Sequence, residues 1–195
     1  MRKFMAALIA ATLITMMIGI IPFFNSCQEL YNDVLRVHIL ANSDSAADQS
    51  LKLAVRDRVV SECAAYYDGC SDKESVMRIT REHIGEIEDI AADEIRSRGF
   101  DYPVSAALGE SYFHTRYYED FTMPAGWYDA LRLTIGEGRG ANWWCVMYPT
   151  LCVGAACEDK MEAQLDEGEY RVVTSDQLDF RFKVVEYFED FLNWF

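Results

Sequence analysis

Phe4 to Phe24 is an apolar run whose only hydroxyl interruptions are Thr12 and Thr15, and Arg2 and Lys3 stand immediately before it. About twenty apolar residues suffice to cross a hydrocarbon core as a helix. Positive charge ahead of the run holds the N-terminus in the cytoplasm and sends the following chain across. Residues 1–26 therefore read as a signal peptide or an uncleaved signal anchor. Phe24-Asn25-Ser26 lacks a small-residue cleavage pattern, and Phe24-Asn25-Ser26-Cys27 departs from a lipoprotein signature. Everything after the run is expected outside the cytoplasm.

Export changes how six cysteines are read, because all lie at or beyond position 27. Thiols on the far side of a membrane can be oxidised. Cys145 and Cys152 flank Pro149 and are expected to form a disulfide that pins a small loop; Cys63 and Cys70, equally spaced, are a possible second pair. Neither spacing matches a zinc knuckle, and His38, His83 and His114 are scattered, so neither metal nor cofactor is expected. A net charge of −14 disfavours nucleic acid as a partner, since phosphate neutralisation requires clustered Lys and Arg.

The pattern beyond the run predicts one α+β domain. Residues 27–33 read as a polar linker. Val34 to Ala41 alternates as a strand, with Arg36 and His38 on the face opposite Leu35, Val37 and Ile39. Ser45 and Asp48 open a helix whose apolar face carries Leu51, Val55 and Val59; Gln49, Lys52 and Arg56 project from another face, and Lys52 and Arg56 are expected exposed. A second helix is expected from Ser71 to Gly99. Val104–Leu108 and Ser111–Tyr118 read as strands about a Gly109-Glu110 turn, followed by strands Trp127–Ile135 and Asn142–Tyr148. This gives a two-layer sandwich: two N-terminal helices packed on a mostly antiparallel sheet, preceded by the membrane or signal helix. The exported domain occupies 34–153, an acidic mobile insertion 154–170, and a C-terminal strand and aromatic-rich helix 171–195. Arg171–Val173 and Phe180–Val184 are read as sheet extensions. The helix from Val185 is expected to dock on the domain; Glu186, Glu189 and Asp190 oppose the alternative of a membrane surface.

Gly136, Gly138 and Gly140 precede a strand-like Asn142-Trp143-Trp144-Cys145, not a helix, so a phosphate cradle is not expected. Cys145 lacks the surroundings of a nucleophile, and no carboxylate pair invites an acid/base role. The chain is therefore read as a binding protein and not an enzyme. Two surfaces are candidates: the strand-to-helix corner with Arg36, His38, Asn42, Ser43, Asp44, Gln49, Lys52 and Arg56, and the glycine loop with Arg139, Asn142, Trp143 and Trp144. An alternative is a cell-wall or glycan-binding module with Trp143 and Trp144 as its stacking platform.

Two blocks carry a family resemblance. One is Arg36-Val-His-Ile-Leu-Ala-Asn-Ser-Asp44 with its continuation to Asp57; the other runs from Pro124-Ala125-Gly126 through Asn142-Trp143-Trp144-Cys145 to Leu151-Cys152. Together they resemble the stage II sporulation protein R family, with Tyr148-Pro149-Thr150-Leu151-Cys152 a mild departure from its pattern. The resemblance implies an intercellular signal of endospore formation. Such a protein is made in the forespore and exported to the space between forespore and mother cell. There it activates a membrane-embedded aspartic protease of the mother cell, which processes the precursor of sigma factor E.

Overall fold

A computed structural model describes residues 1–118, 121–149, 165–175 and 180–194. Helix α1 (Arg2–Asp33) contains the whole apolar run and is, among the described residues, the one helix long and apolar enough to cross a membrane. Its N-terminal two-thirds carries exposed apolar side chains such as Phe4, Leu8, Ile14 and Ile18. Its last turns belong to the domain, where Phe23, Cys27, Leu30 and Tyr31 are buried. The expected linker over 27–33 is thus helical: Cys27, Leu30 and Tyr31 recur at helical spacing and face a core, which sustains the helix to Asp33.

The chain continues through β1 (Leu35–Leu40), α2 (Ala46–Cys63), α3 (Lys73–Glu82), α4 (Ile84–Ser97) and β2 (Val104–Phe113). After β3 (Arg116–Tyr117), β4 (Thr122–Met123), β5 (Gly126–Ile135) and β6 (Asn142–Tyr148) come α5 (Glu167–Val173) and α6 (Phe180–Asn193). The expected single helix from Ser71 is two, broken at His83, which ends α3 and opens α4. The expected turn at Gly109-Glu110 is absent. Those residues pair with Ala130 and Asp129, and β2 runs unbroken along β5.

The four-stranded sheet has the order β2-β5-β1-β6. Its outer pairings are antiparallel, but β1 and β5 are parallel, so the sheet is mixed. Alternation along each strand then makes two cores. Leu35, Val37, Ile39, Leu131, Leu133 and Cys145 face α2, α3 and α4. Val34, Phe113, Tyr128, Ala130 and Val146 face the end of α1, α5 and α6. Helices therefore cover both faces, where a two-layer arrangement has one face covered. Burying each large aliphatic side chain contributes about 1.5–3 kcal/mol, which rewards closing both faces.

Two expected strands are helices. Arg171–Val173 lies in α5, because Asp166 and Glu169 make a reciprocal capping box that starts a helix. Phe180–Val184 opens α6, whose Phe182, Val185 and Glu189 are buried at helical spacing. The expected insertion falls outside the described residues from 154 to 164.

Candidate functional site

The two candidate surfaces are one structure. Since β1 lies between β5 and β6, the loop joining β5 to β6 must cross the C-terminal end of β1. It closes on the corner where β1 turns into α2. The Gly140 amide donates to the Ala41 carbonyl (2.9 Å) and the Arg139 amide to that of Asn42 (3.3 Å). The Glu137 amide donates to Asn42 Oδ1 (3.0 Å) and the Ala141 amide to Asp44 Oδ1 (2.6 Å). Lys52 Nζ reaches up from α2 to the Ala141 carbonyl (2.8 Å) and to Gln49 Oε1 (2.6 Å).

Glycine is required here for space. A Cβ on Gly140 would stand 2.2 Å from the Ser43 carbonyl oxygen, and one on Gly136, where φ is +57°, would stand 2.2 Å from Asn42 Oδ1. The glycine spacing serves close approach of two chain segments.

Asp48 organises the inside of the corner. Its buried carboxylate accepts from Asn42 Nδ2 (2.9 Å) and Ser43 Oγ (2.5 Å), and Tyr102 lies against the same group. Ser45 caps α2 by accepting the Asp48 amide (3.1 Å), and Gln49 Nε2 donates to the Ser43 carbonyl (2.9 Å). The bonds from Ser43 and Asn42 hold the Asp48 carboxyl below the usual carboxylate range. Lys52 is buried, not exposed as expected, and burial lowers its pKa. Its stem packs along α2 while its ammonium satisfies a loop carbonyl. Arg56 is half-buried, with its guanidinium 4.3 Å from the Trp143 ring centroid and paired to Asp57 at 2.5 Å.

Arg36, His38 and Trp144 are on the other face of the sheet. Trp143 and Trp144 are consecutive strand residues and so point oppositely. They cannot form a shared stacking platform. Trp144 stacks on the His38 ring, centroids 3.8 Å apart. Arg36 is fully buried between Phe113 and Tyr128, 4.1 and 4.9 Å from their centroids, and donates from Nη2 to Tyr118 Oη (2.9 Å). Its Nε and Nη1 have no hydrogen-bond partner. The aromatic faces offset part of the cost of burying this cation. Burial, then the Arg132, Arg36 and Arg116 charges, push His38 down to about 4, opposed by Asn142. No well-formed hydrogen bond reaches either of its ring nitrogens. His38 is therefore a neutral ring at neutral pH.

What remains at the surface is a small polar rim of Asp44, Glu137, Arg139 and Asn142. Arg139 and Glu137 pair at 3.1 Å with both side chains largely exposed. Among the described residues no group of His, Cys, Asp and Glu is placed to hold a metal ion.

The model of one protein family, stage II sporulation protein R, matches residues 31–158, a stretch that contains the whole corner and loop. The chain belongs to the stage II sporulation protein R family. Stage II sporulation protein R of Bacillus subtilis (strain 168) is 38% identical over 121 residues, covering 62% of this chain and 54% of that relative. The matched stretch thus spans about half the length of the relative. No solved structure matches.

Both motif blocks of this family chain meet at the corner, although they are nearly a hundred residues apart in sequence. Asn42, Ser43, Asp44, Gln49, Lys52, Arg139 and Asn142 lie within it, Arg56 and Trp143 beside it on the helical face, and Arg36, His38 and Trp144 behind the sheet. Sequence reading missed Asp48 as the organising acceptor, because Asp at the third position of a helix is ordinarily a cap charge. It also missed Arg116, whose guanidinium stands 5.3 Å from the Trp144 centroid. Of the cysteines, Cys145 is disulfide-bonded, while Cys152 and Cys157 lie outside the described residues. Cys63 and Cys70 are free thiols, so the possible second pair is not formed here. Cys63 instead ends α2 inside the core, where burial raises its pKa to about 11.

Proposed function

We propose that this chain is an exported signal of endospore formation that acts by binding and performs no chemistry of its own. It is made in the forespore and displayed in the space between forespore and mother cell. Its receptor is the membrane-embedded aspartic protease of the mother cell that processes the sigma-factor-E precursor. Family membership supports the sporulation role, and α1 behind Arg2 and Lys3 supports export.

The observation that carries the binding reading is the interlock. Backbone and side-chain hydrogen bonds fix the corner and the glycine loop to each other and leave Asp44, Glu137, Arg139 and Asn142 as a held polar rim. A rim held this way loses little conformational entropy on binding. The Cys145–Cys152 disulfide belongs to the same proposal, as a covalent tie on the strand that leaves the rim.

Arg139→Glu tests the reading, because the side chain is exposed and its loss leaves the buried network intact. In sporulating cells exporting the variant at normal levels, blots should show the sigma-factor precursor accumulating uncleaved. Full cleavage by Arg139→Glu and by Asn142→Ala would remove the rim from the receptor contact.

A further inference from the structure

Helix α6 carries apolar side chains on two sides, one buried and one largely exposed. Phe182 and Val185 point into the second core. On the opposite side Phe180, Tyr187, Phe188, Phe191 and Trp194 form a stripe at helical spacing that stands in solvent, Tyr187 at 73% and Trp194 at 81% exposure. Large contiguous exposed apolar patches mark an interaction site.

The position of α6 identifies the occupant. Phe182 packs edge-on against Phe23 (5.3 Å between centroids) and Phe188 against Phe24 (5.0 Å). Phe23 and Phe24 are the last residues of the apolar run. At helical rise, Phe4 to Phe24 measures roughly 30 Å, the thickness of a hydrocarbon core. Phe24 then stands at the outer boundary of the bilayer, and Phe188 stands beside it. Phe182 and Phe188 are roughly 9 Å apart along α6, yet they touch adjacent residues of α1. Both contacts thus fall at one level of α1, the level where the apolar run ends. Arg181 sits over the Phe23 ring at 4.5 Å, a cation at headgroup level.

The carboxylates that oppose a membrane surface do not lie on the stripe. Glu189 is buried on the inner face, Glu186 is paired with Lys183 at 2.8 Å, and Asp190 accepts from Tyr112 (3.1 Å).

We infer that α6 lies in the outer interface of the membrane spanned by α1, its Phe180–Trp194 stripe seated at the boundary between headgroups and acyl chains. This rests on the reading of α1 as a retained span. Aromatic side chains are favoured at that depth, and a helix with one polar and one apolar outward side binds in the interface plane. The domain is then held flat against the bilayer.

The test uses the full chain reconstituted into phosphatidylcholine and phosphatidylglycerol vesicles, with acyl chains brominated near the headgroup or unbrominated. Tryptophan emission is compared for the wild type and Trp194→Phe. The difference, which isolates Trp194, should fall roughly twofold or more with brominated lipid. Tyr187→Ser combined with Phe191→Ser, both at exposed positions, should restore that emission. Equal quenching in this double variant overturns the inference. So does an unquenched Trp194 in protein that still floats with vesicles after an alkaline wash, including the case where cross-linking shows a second copy on the stripe. Protein that does not float overturns the α1 reading itself, and this inference with it.

Discussion

Gly140→Ala probes the interlock directly. The added Cβ would stand 2.2 Å from the Ser43 carbonyl oxygen, 2.5 Å from its carbonyl carbon and 3.0 Å from the Ala41 Cβ. An ordinary carbon–oxygen contact is about 3.3 Å, so loop and corner must part by roughly 1 Å. The Ser43 atoms are backbone and cannot rotate aside. The Arg139–Asn42 bond is already 3.3 Å and the Gly140–Ala41 bond 2.9 Å, so neither survives that movement. Each neutral bond contributes about 1 kcal/mol net, and the bond from buried Lys52 to Ala141 about 1.5–3 kcal/mol. The expected loss is about 3–5 kcal/mol, or roughly 10 °C in Tm for a chain of this size. Thermal unfolding of the full chain in mild detergent, followed by near-ultraviolet circular dichroism, measures it. Gly109→Ala is the control: nothing lies within 4 Å of its added Cβ, so the change should be neutral or slightly stabilising. If Gly140→Ala melts within about 2 °C of the wild type, the corner is not held as argued here.

Further outcomes concern titration and thiols. Asp48 has a depressed pKa in the folded protein, so its stabilisation is present above the ordinary Asp value near 4 and is lost as pH falls through the lower folded value. The stability gap between wild type and Asp48→Asn should therefore narrow with acidification below about pH 4; a gap constant down to pH 2.5 refutes the assignment. His38 titrates near 4 when folded against an ordinary 6.5, so its contribution is full above about 6.5 and is lost as pH falls from there through 4. Imidazole NMR shifts should show that midpoint, and a midpoint above 6 contradicts the buried neutral ring. Alkylation in denaturant without reductant should label Cys63 and Cys70 but leave Cys145 unmodified; label on Cys145 removes the disulfide.

Much of this fold is legible because periodicity is strong where one face is buried. The apolar run, the start of α2 at Ser45, and strands β5 and β6 all follow from it. The misreadings share a cause. Residues 27–33, 171–173 and 180–184 lie in helices around the second core; their helical spacings and the Asp166–Glu169 box are short local signals, and the core they face forms only once the end of α1 packs on the sheet. Gly109-Glu110 carries turn chemistry, but ten consecutive pairings with β5 outweigh it. Lys52 reads as exposed because it lies off the apolar face of α2; the glycine loop covers it, and the distance from Lys52 to Ala141 in sequence hides the contact.

The parallel pairing of β1 with β5 connects fold to site. A plain meander would place β5 beside β6 with a short hairpin, and the glycine loop would hang free. With β1 inserted between them, the loop must pass over the end of β1, and that end is where Asn42 to Asp48 turn into α2. Backbone donors of the loop then face the side-chain acceptors Asn42 and Asp44, while the Ala141 carbonyl faces Lys52. Asn42, Asp44 and Lys52 have partners across this seam, while Asp48 holds Asn42 and Ser43 from behind, so the shape of each segment depends on the other. That mutual dependence accounts for three glycines, an Asn, a Ser, two Asp and a buried Lys being concentrated in one turn and one loop. The product is a fixed arrangement of Asp44, Glu137, Arg139 and Asn142 at the surface.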